Sequence, residues 1–144
     1  MAGKSDTFES DILKLIYNAT PITNIADNAA TAPLTNLFVA LHTADPTDTG
    51  TQSSNEVAYT GYARVSVART TGGWTVSGTT SVSPVATISF PACTGGTATA
   101  TFASVGVASS GATKILHYGA LSPSISISTG VTPQLTTAST ISED

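Results

Sequence analysis

Four side chains that could bind a metal or move a proton lie close together in one stretch of the chain. His42 and Asp45 are three residues apart, and Asp48 and Glu56 follow in the same segment. Imidazole and carboxylate groups in such proximity are typical of zinc sites and of acid-base pairs. Catalytic zinc usually takes three protein ligands, and His117 is the only other histidine. We therefore expect Asp45 and Asp48 to cap turns and His42 to end a strand, with a calcium site on the two aspartates as the alternative.

Nucleophilic and phosphate-binding motifs are absent from the sequence. There is no G-x-S-x-G nucleophile elbow, no P-loop and no dinucleotide fingerprint. Gly72-Gly73 and Gly95-Gly96 are typical of hairpin turns, and Cys93, with no basic residue beside it, is typical of a small buried side chain. The sequence thus predicts a protein that is not an enzyme and that uses no cofactor and no metal.

The composition favours assembly with other proteins over binding to nucleic acid. Only 10% of the residues are charged, the net charge is -4, and five basic residues are scattered along the chain. Such a chain cannot form a phosphate-neutralising stripe, so we expect no nucleic-acid partner. Threonine and serine supply 44 of the 144 residues, and a hydroxyl surface is far less costly to desolvate than a charged one. No apolar run approaches the about 20 residues of a membrane span, and no signal peptide is apparent, so we expect no membrane partner.

One N-terminal helix is predicted from about Asp6 to Tyr17. Phe8, Ile12 and Ile16 repeat at helical spacing on one face, and Asp6 with Glu9 resembles a capping box. This apolar stripe could pack on its own domain or on a neighbouring subunit. The irregular, proline-containing segment 18–36 follows, and it predicts an extended arm that carries Ile22 and Ile25 as further interface candidates.

The rest of the chain has the patterns of short β-strands. Strands are predicted at 37–42, 62–68, 74–78, 85–90, 97–108, 115–121 and 124–128, most of them alternating or β-branched and separated by turn residues. About seven or eight such strands predict an all-β, jelly-roll-like β-sandwich. We expect a single domain over residues 1–144, with a helix and arm at about 1–36 and a tail at about 132–144 that forms a last strand or an exposed arm.

The long connection from Thr43 to Gly61 is a candidate for partner contact, together with the arm at 18–36 and the C-terminal tail, because long loops in small domains often bind something. Asp45 and Asp48 lie in this connection. Tyr59 and Tyr62, at its end, could either pack in the core or anchor an interface. A solvated strand edge or pairing with a partner would suit the two arginines near it. The remaining interface candidates in this region are Tyr59, Tyr62, Arg64 and Arg69. Trp74 is expected in the core.

The stretch LFVALHTADPTDTGTQSSNEVAYTGYARVSVART at 37–70 resembles a family of small virion proteins of tailed phages, often labelled tail-fibre or decoration proteins. The likeness continues through GGWTVSG, FPACTGG at 90–96, and the block at 105–119. The chain also resembles the cement protein of short-tailed Bordetella phages, which implies a jelly-roll-like subunit that dimerises and clamps the major capsid protein.

This resemblance implies a capsid cement or decoration protein, made in the cytoplasm of the bacterial host and located on the outer capsid surface of the virion. The implied partners are the major capsid protein and further copies of the chain, as a homodimer or trimer. A tail or tail-fibre component involved in host recognition is the alternative. Fibres usually show repetitive shafts or heptads, and this sequence shows neither.

Overall fold

The computed structural model describes residues 5–22, 26 and 33–142, and within them the regular secondary structure is mostly β-strand, with one N-terminal helix. This confirms the predicted all-β fold class, whereas the jelly-roll connectivity stays a prediction. The helix α1 spans Asp6–Asn18. The described strands are β1 Asn36–His42, β2 Val65–Ala68, β3 Trp74–Ser77, β4 Ser81–Pro84, β5 Ile88–Ser89, β6 Ala98–Gly106, β7 Ile115–Ile127, β8 Gln134–Leu135 and β9 Ile141–Ser142.

The described residues form two compact units. The first contains residues from 1–36, 68–87 and 136–144, and the second contains 37–67 and 88–135. Each unit therefore combines segments that are distant in the sequence. None of the helices among the described residues is long and apolar enough to cross a membrane.

In the first unit, α1 packs through the two largest apolar side chains of its inner face. Leu13 and Tyr17 are fully buried, and the Tyr17 ring meets Trp74 of β3 edge-on at 4.8 Å between centroids. Trp74 is a core residue, as predicted. The predicted cap is wrong by one residue, because the helix is capped by Ser5, whose side chain accepts from the amide of Phe8. Serine suits this position because its short hydroxyl reaches a free amide of the first turn.

Arg69 connects the end of α1 to the residues that lead into β1. Its guanidinium donates to the carbonyls of Leu15, Ile16 and Leu34. The last turn of α1 has no basic residue of its own, so a cation from 53 residues further along the chain occupies the negative end of the helix. This contact stabilises a junction that the sequence pattern alone did not indicate.

The sheet of the first unit, in the order β3-β4-β9, has one apolar face and one hydroxyl face. Residues that lie directly opposite each other share a face. Trp74 faces Pro84, and Val76 faces Val82, which in turn faces Ile141. The alternate positions form what we call the hydroxyl face, which consists of Thr75, Ser77, Ser81, Ser83 and Ser142.

The main sheet of the second unit has the order β2-β1-β6-β7, and a two-stranded sheet pairs β5 with β8. Strand β1 lies next to β6 with Val39 opposite Val105 and Leu41 opposite Ala103. Leu37, Val39, Leu41 and Val105 are buried on this face, and the opposite face carries Ala40 and Ser104. The predicted strand at 37–42 is thus confirmed, and both its faces are covered.

Three strand predictions need correction. The predicted strand 62–68 begins only at Val65, because Arg64 turns inward. The predicted strand 85–90 is limited to Ile88–Ser89, with Val85 exposed. The two strands predicted at 115–121 and 124–128 are one strand, β7, which continues through the cis Ser122-Pro123 bond with an irregular register opposite β6.

Strand β4 was not predicted. Val82 is its only large apolar residue, so the short stretch Ser81–Pro84 has no clear hydrophobic period. The tail contributes β8 and β9, which confirms the expectation that it could supply a last strand.

Candidate functional site: the loop between β1 and β2

The loop between β1 and β2, residues 43–64, folds over one face of the main sheet of the second unit. Ala40, Ser104 and Tyr118 lie directly opposite one another on three neighbouring strands, so they share this face. Asp48 of the loop accepts a hydrogen bond from Tyr118. Backbone hydrogen bonds from Thr43 to Asn55 and from Val57 to Leu41 hold the base of the loop. The loop is therefore a folded element that contacts the sheet.

Arg64, the last residue of the loop, is its central polar contact. The guanidinium forms a two-pronged ion pair with Glu56, with Nε to Oε1 and Nη2 to Oε2 both at 2.7 Å. It also donates to the carbonyls of Ala108 and Gly111 and to Thr113, all in the connection between β6 and β7. Arg64 is only 8% exposed. It thus joins two loops that lie far apart in the sequence.

Tyr62 forms hydrogen bonds both to the ion pair and to β1. Its hydroxyl donates to Glu56 Oε1 at 3.0 Å and accepts from the backbone amide of Leu41 at 3.1 Å. Its ring stacks on Phe90 and meets Tyr59 edge-on. Burial, together with the nearby Glu56 carboxylate, raises the pKa of Tyr62, so the phenol stays protonated and remains a donor to the carboxylate.

Gln52 fills the space beside the sheet and satisfies one backbone carbonyl of β1 and one of the connection between β6 and β7. Its side-chain amide donates to the carbonyl of Phe38 at 2.8 Å, and its backbone amide donates to Thr113. A Cβ at Gly106 would lie 2.1 Å from the Gln52 side chain. Only glycine leaves room for this contact, so Gly106 permits the loop to approach β6.

His42 anchors the loop from the end of β1. The ring is fully buried, with Nδ1 2.8 Å from the carbonyl of Ser54 and Nε2 2.7 Å from the hydroxyl of Ser104. A carbonyl oxygen only accepts, so Nδ1 carries a proton and the neutral ring accepts from Ser104 through Nε2. Burial lowers the pKa of His42, with opposing contributions from the Ser54 carbonyl and Glu56 and a further lowering from Arg64.

The tip of the loop is exposed and tightly turned. Asp45 Oδ1 accepts from the amide of Thr47 at 2.7 Å, and Asn55 donates to the carbonyl of Asp45 at 2.9 Å. Asp45 therefore caps a turn, as expected from the sequence, and His42 ends a strand. Thr47 has a φ of 64°, which is strained for a β-branched residue. The hydrogen bond to Asp48 raises the pKa of Tyr118 to about 12. In the parts of the chain that the structure describes, no three His, Cys, Asp or Glu side chains are grouped so as to hold a metal.

The structure places the predicted interface residues in three environments. Six keep part of their surface accessible. Three are exposed, namely Phe8, Asp45 and Asp48, and three are half-buried, namely Ile12, Ile16 and Ile22. Four others are held mainly by contacts within the chain, namely Tyr59, Tyr62, Arg64 and Arg69, and the exposed Asp45 and Asp48 also accept hydrogen bonds within the chain. Tyr59 and Arg64 are 4% and 8% exposed, so these two have little surface left for a partner. Ile25 lies outside the described residues.

Sequence reasoning missed Gln52, Ser104 and Gly106, which are all buried where the loop meets the sheet. Gln52 lies in a polar stretch without periodicity, and nothing in that stretch marks it as buried. Ser104 and Gly106 belong to a predicted strand, where a glycine can indicate close approach of another segment. Gly106 was thus the one residue whose type carried a usable signal.

Comparison with known proteins gives one family match. A protein-family model described as "Podophage GP4 fiber I protein gp80" matches residues 5–142. The chain belongs to this gp80 family. No curated protein matches it.

The gp80 match extends over segments of both compact units and includes the loop with its Arg64 ion pair. It makes the chain a structural virion protein of the short-tailed phage type, which confirms the predicted family at this level. It does not distinguish a position on the capsid from a position in a fibre.

Proposed function

We propose that this gp80-family chain is a capsid cement subunit, which binds the outside of the major capsid protein lattice and stabilises it. The role is structural, not enzymatic. Its partners are the major capsid protein and further copies of the chain, and neither nucleic acid nor a membrane takes part. The observation that carries the proposal is the uncharged hydroxyl surface of the sheets.

The hydroxyl face of the first unit has no charged member. Thr75, Ser77 and Ser142 are exposed, and Ser81 and Ser83 are half-buried. The second unit repeats the pattern where exposed Thr99 lies opposite exposed Ser126. Such faces can be covered by another protein without stripping water from ions. An uncharged surface of this kind suits contact with a large protein lattice.

The loop between β1 and β2 supports the same role because it is already folded in the free chain. Arg64, Gln52 and His42 satisfy its buried polar groups internally. A folded loop loses less conformational entropy on binding, so weak individual contacts suffice. Many equivalent sites on a rigid lattice then raise the effective concentration of each contact.

A fibre component is the second candidate, and the family description favours it, because the printed name is "fiber I protein". The chain would then expose its threonine, serine and aromatic surface to a host receptor. The absence of heptads or a repetitive shaft from the sequence argues against this role.

Binding of the purified chain to capsids that lack it tests the proposal. The chain should co-sediment with the capsids and raise the temperature at which they release DNA. The variant Thr75→Lys should lower occupancy at least tenfold, because it places an ion on the hydroxyl face. Ser110→Lys, which adds the same charge to an exposed connection between β6 and β7, should bind normally. Failure of the unmodified chain to bind capsids, with binding to host cells instead, would support the fibre role.

A further inference from the structure

His42 is a buried titratable group whose ionisation the proposed function does not use. It is one of two histidines in the chain, its ring is fully buried, and it is the last residue of β1 before the loop. We propose that His42 is a proton-operated latch, which holds the loop between β1 and β2 on the sheet when neutral and releases it when protonated.

The geometry gives the neutral ring a complete set of partners. The Nδ1 proton is donated to the Ser54 carbonyl in the loop, and Nε2 accepts from the Ser104 hydroxyl on β6. One planar ring therefore connects the loop to the sheet through both nitrogens. An isolated antiparallel bridge between His42 and Glu56 places this part of the loop beside the end of β1.

Protonation disturbs this arrangement at Nε2. The added proton turns Nε2 into a donor, so the hydrogen bond reverses: the Ser104 oxygen now accepts it, and the Ser104 hydroxyl proton loses its acceptor. Ser104 is itself 2% exposed, so its hydroxyl has no access to bulk water as a new acceptor. Opening of the loop is the change that hydrates both groups.

The charges around the ring oppose each other. Glu56 favours the protonated ring and Arg64 disfavours it, and these two residues form an ion pair with each other. Burial is the largest influence and lowers the pKa of His42 in the closed state. In an open loop the imidazole has an ordinary pKa near 6.5. Since the open state binds the proton more tightly, closure is favoured above pH 6.5 and is progressively lost as the pH falls below it.

The size of the shift toward the open loop follows from the difference between the pKa of His42 in the open and closed states. For each pH unit below 6.5, until the pKa of the closed state is reached, the opening equilibrium shifts about tenfold toward the open loop. Where the chain binds capsids through this loop, acid should weaken that binding. This last consequence rests on the proposed function, but the latch itself does not.

Hydrogen exchange of the intact chain at pH 7.5 and 5.5, corrected for intrinsic rates, tests the latch without any partner. The reporting amides are those of Thr43, Gln52 and Val57, which are bonded within or beside the loop. Their protection should fall about tenfold at the lower pH in the unmodified chain and in His117→Gln, the matched histidine control. It should stay constant in His42→Gln, which can donate to Ser54 and accept from Ser104 but does not titrate.

A nitrogen-15 titration of the unmodified chain decides the outcome even if His42→Gln does not fold. The latch requires a neutral Nδ1–H tautomer at pH 7.5 and loop opening in step with protonation of His42. Titration of His42 with unchanged loop protection would overturn the proposal, as would an equal acid response in His42→Gln. Neither result depends on whether the chain binds capsids.

Discussion

Replacement of Arg64 by methionine should be among the most destabilising single changes in the second unit. The variant keeps an unbranched apolar stem but leaves the Glu56 carboxylate without its cation. The side chain of Glu56 is 18% exposed, against 2% for Arg64. Removal of one member of a buried ion pair costs about 3–5 kcal/mol, and partial hydration of Glu56 places the expected loss near the lower end, at about 3 kcal/mol.

Urea unfolding followed by circular dichroism measures this loss. With a slope of about 2 kcal/mol/M, a loss of about 3 kcal/mol lowers the midpoint by about 1.5 M. Lys114→Met is the matched control, because it removes one positive charge from an exposed site of the same unit. That control should change stability by less than about 0.5 kcal/mol.

A second substitution separates the unpaired charge from lost packing. Adding Glu56→Gln to Arg64→Met removes the orphaned charge and leaves an amide that can still accept from Tyr62. The double variant should recover about 1–2 kcal/mol relative to Arg64→Met. If Arg64→Met costs less than about 1 kcal/mol, or if the double variant is no more stable than the single one, the ion pair is not what stabilises the loop.

Three further predictions concern other parts of the fold. Arg69→Met should cost about 1–3 kcal/mol in urea unfolding, because it leaves the helix-end carbonyls without their donor. Gly106→Ala should lower the free energy of unfolding by more than about 2 kcal/mol, since a Cβ there overlaps the side chain of Gln52. Gly119→Ala is the control and should be near neutral, because a Cβ there meets no atom within 4 Å. Ultraviolet titration should find Tyr118 ionising near pH 12 and, in Asp48→Asn, closer to the ordinary value of about 10. Ionisation at the same pH in both proteins would contradict the surface hydrogen bond.

The sequence predicted the elements whose pattern is local. The helix α1 and strand β1 were each placed within about one residue, because the helical spacing of Phe8, Ile12 and Ile16 and the apolar run at 37–42 are properties of neighbouring residues. The strand that begins at Val65 was predicted three residues too long, because Arg64 follows the alternating pattern but serves an ion pair.

The candidate site was only partly predictable, because its contacts join distant segments. Asp45 was correctly predicted to cap a turn, and His42 to end a strand. The pairing of Arg64 with Glu56, and the packing of Gln52 on Gly106, depend on how the loop returns to the sheet. No periodicity encodes that path, so a single sequence could not indicate it.

Cryo-electron microscopy of the intact particle, with copies of this chain counted against the major capsid protein, tests the central claim most directly. The cement role predicts hundreds of copies in icosahedral order on the outer capsid surface, with the hydroxyl face or the loop between β1 and β2 against the lattice. A small number of copies confined to the tail would contradict it and establish the fibre role.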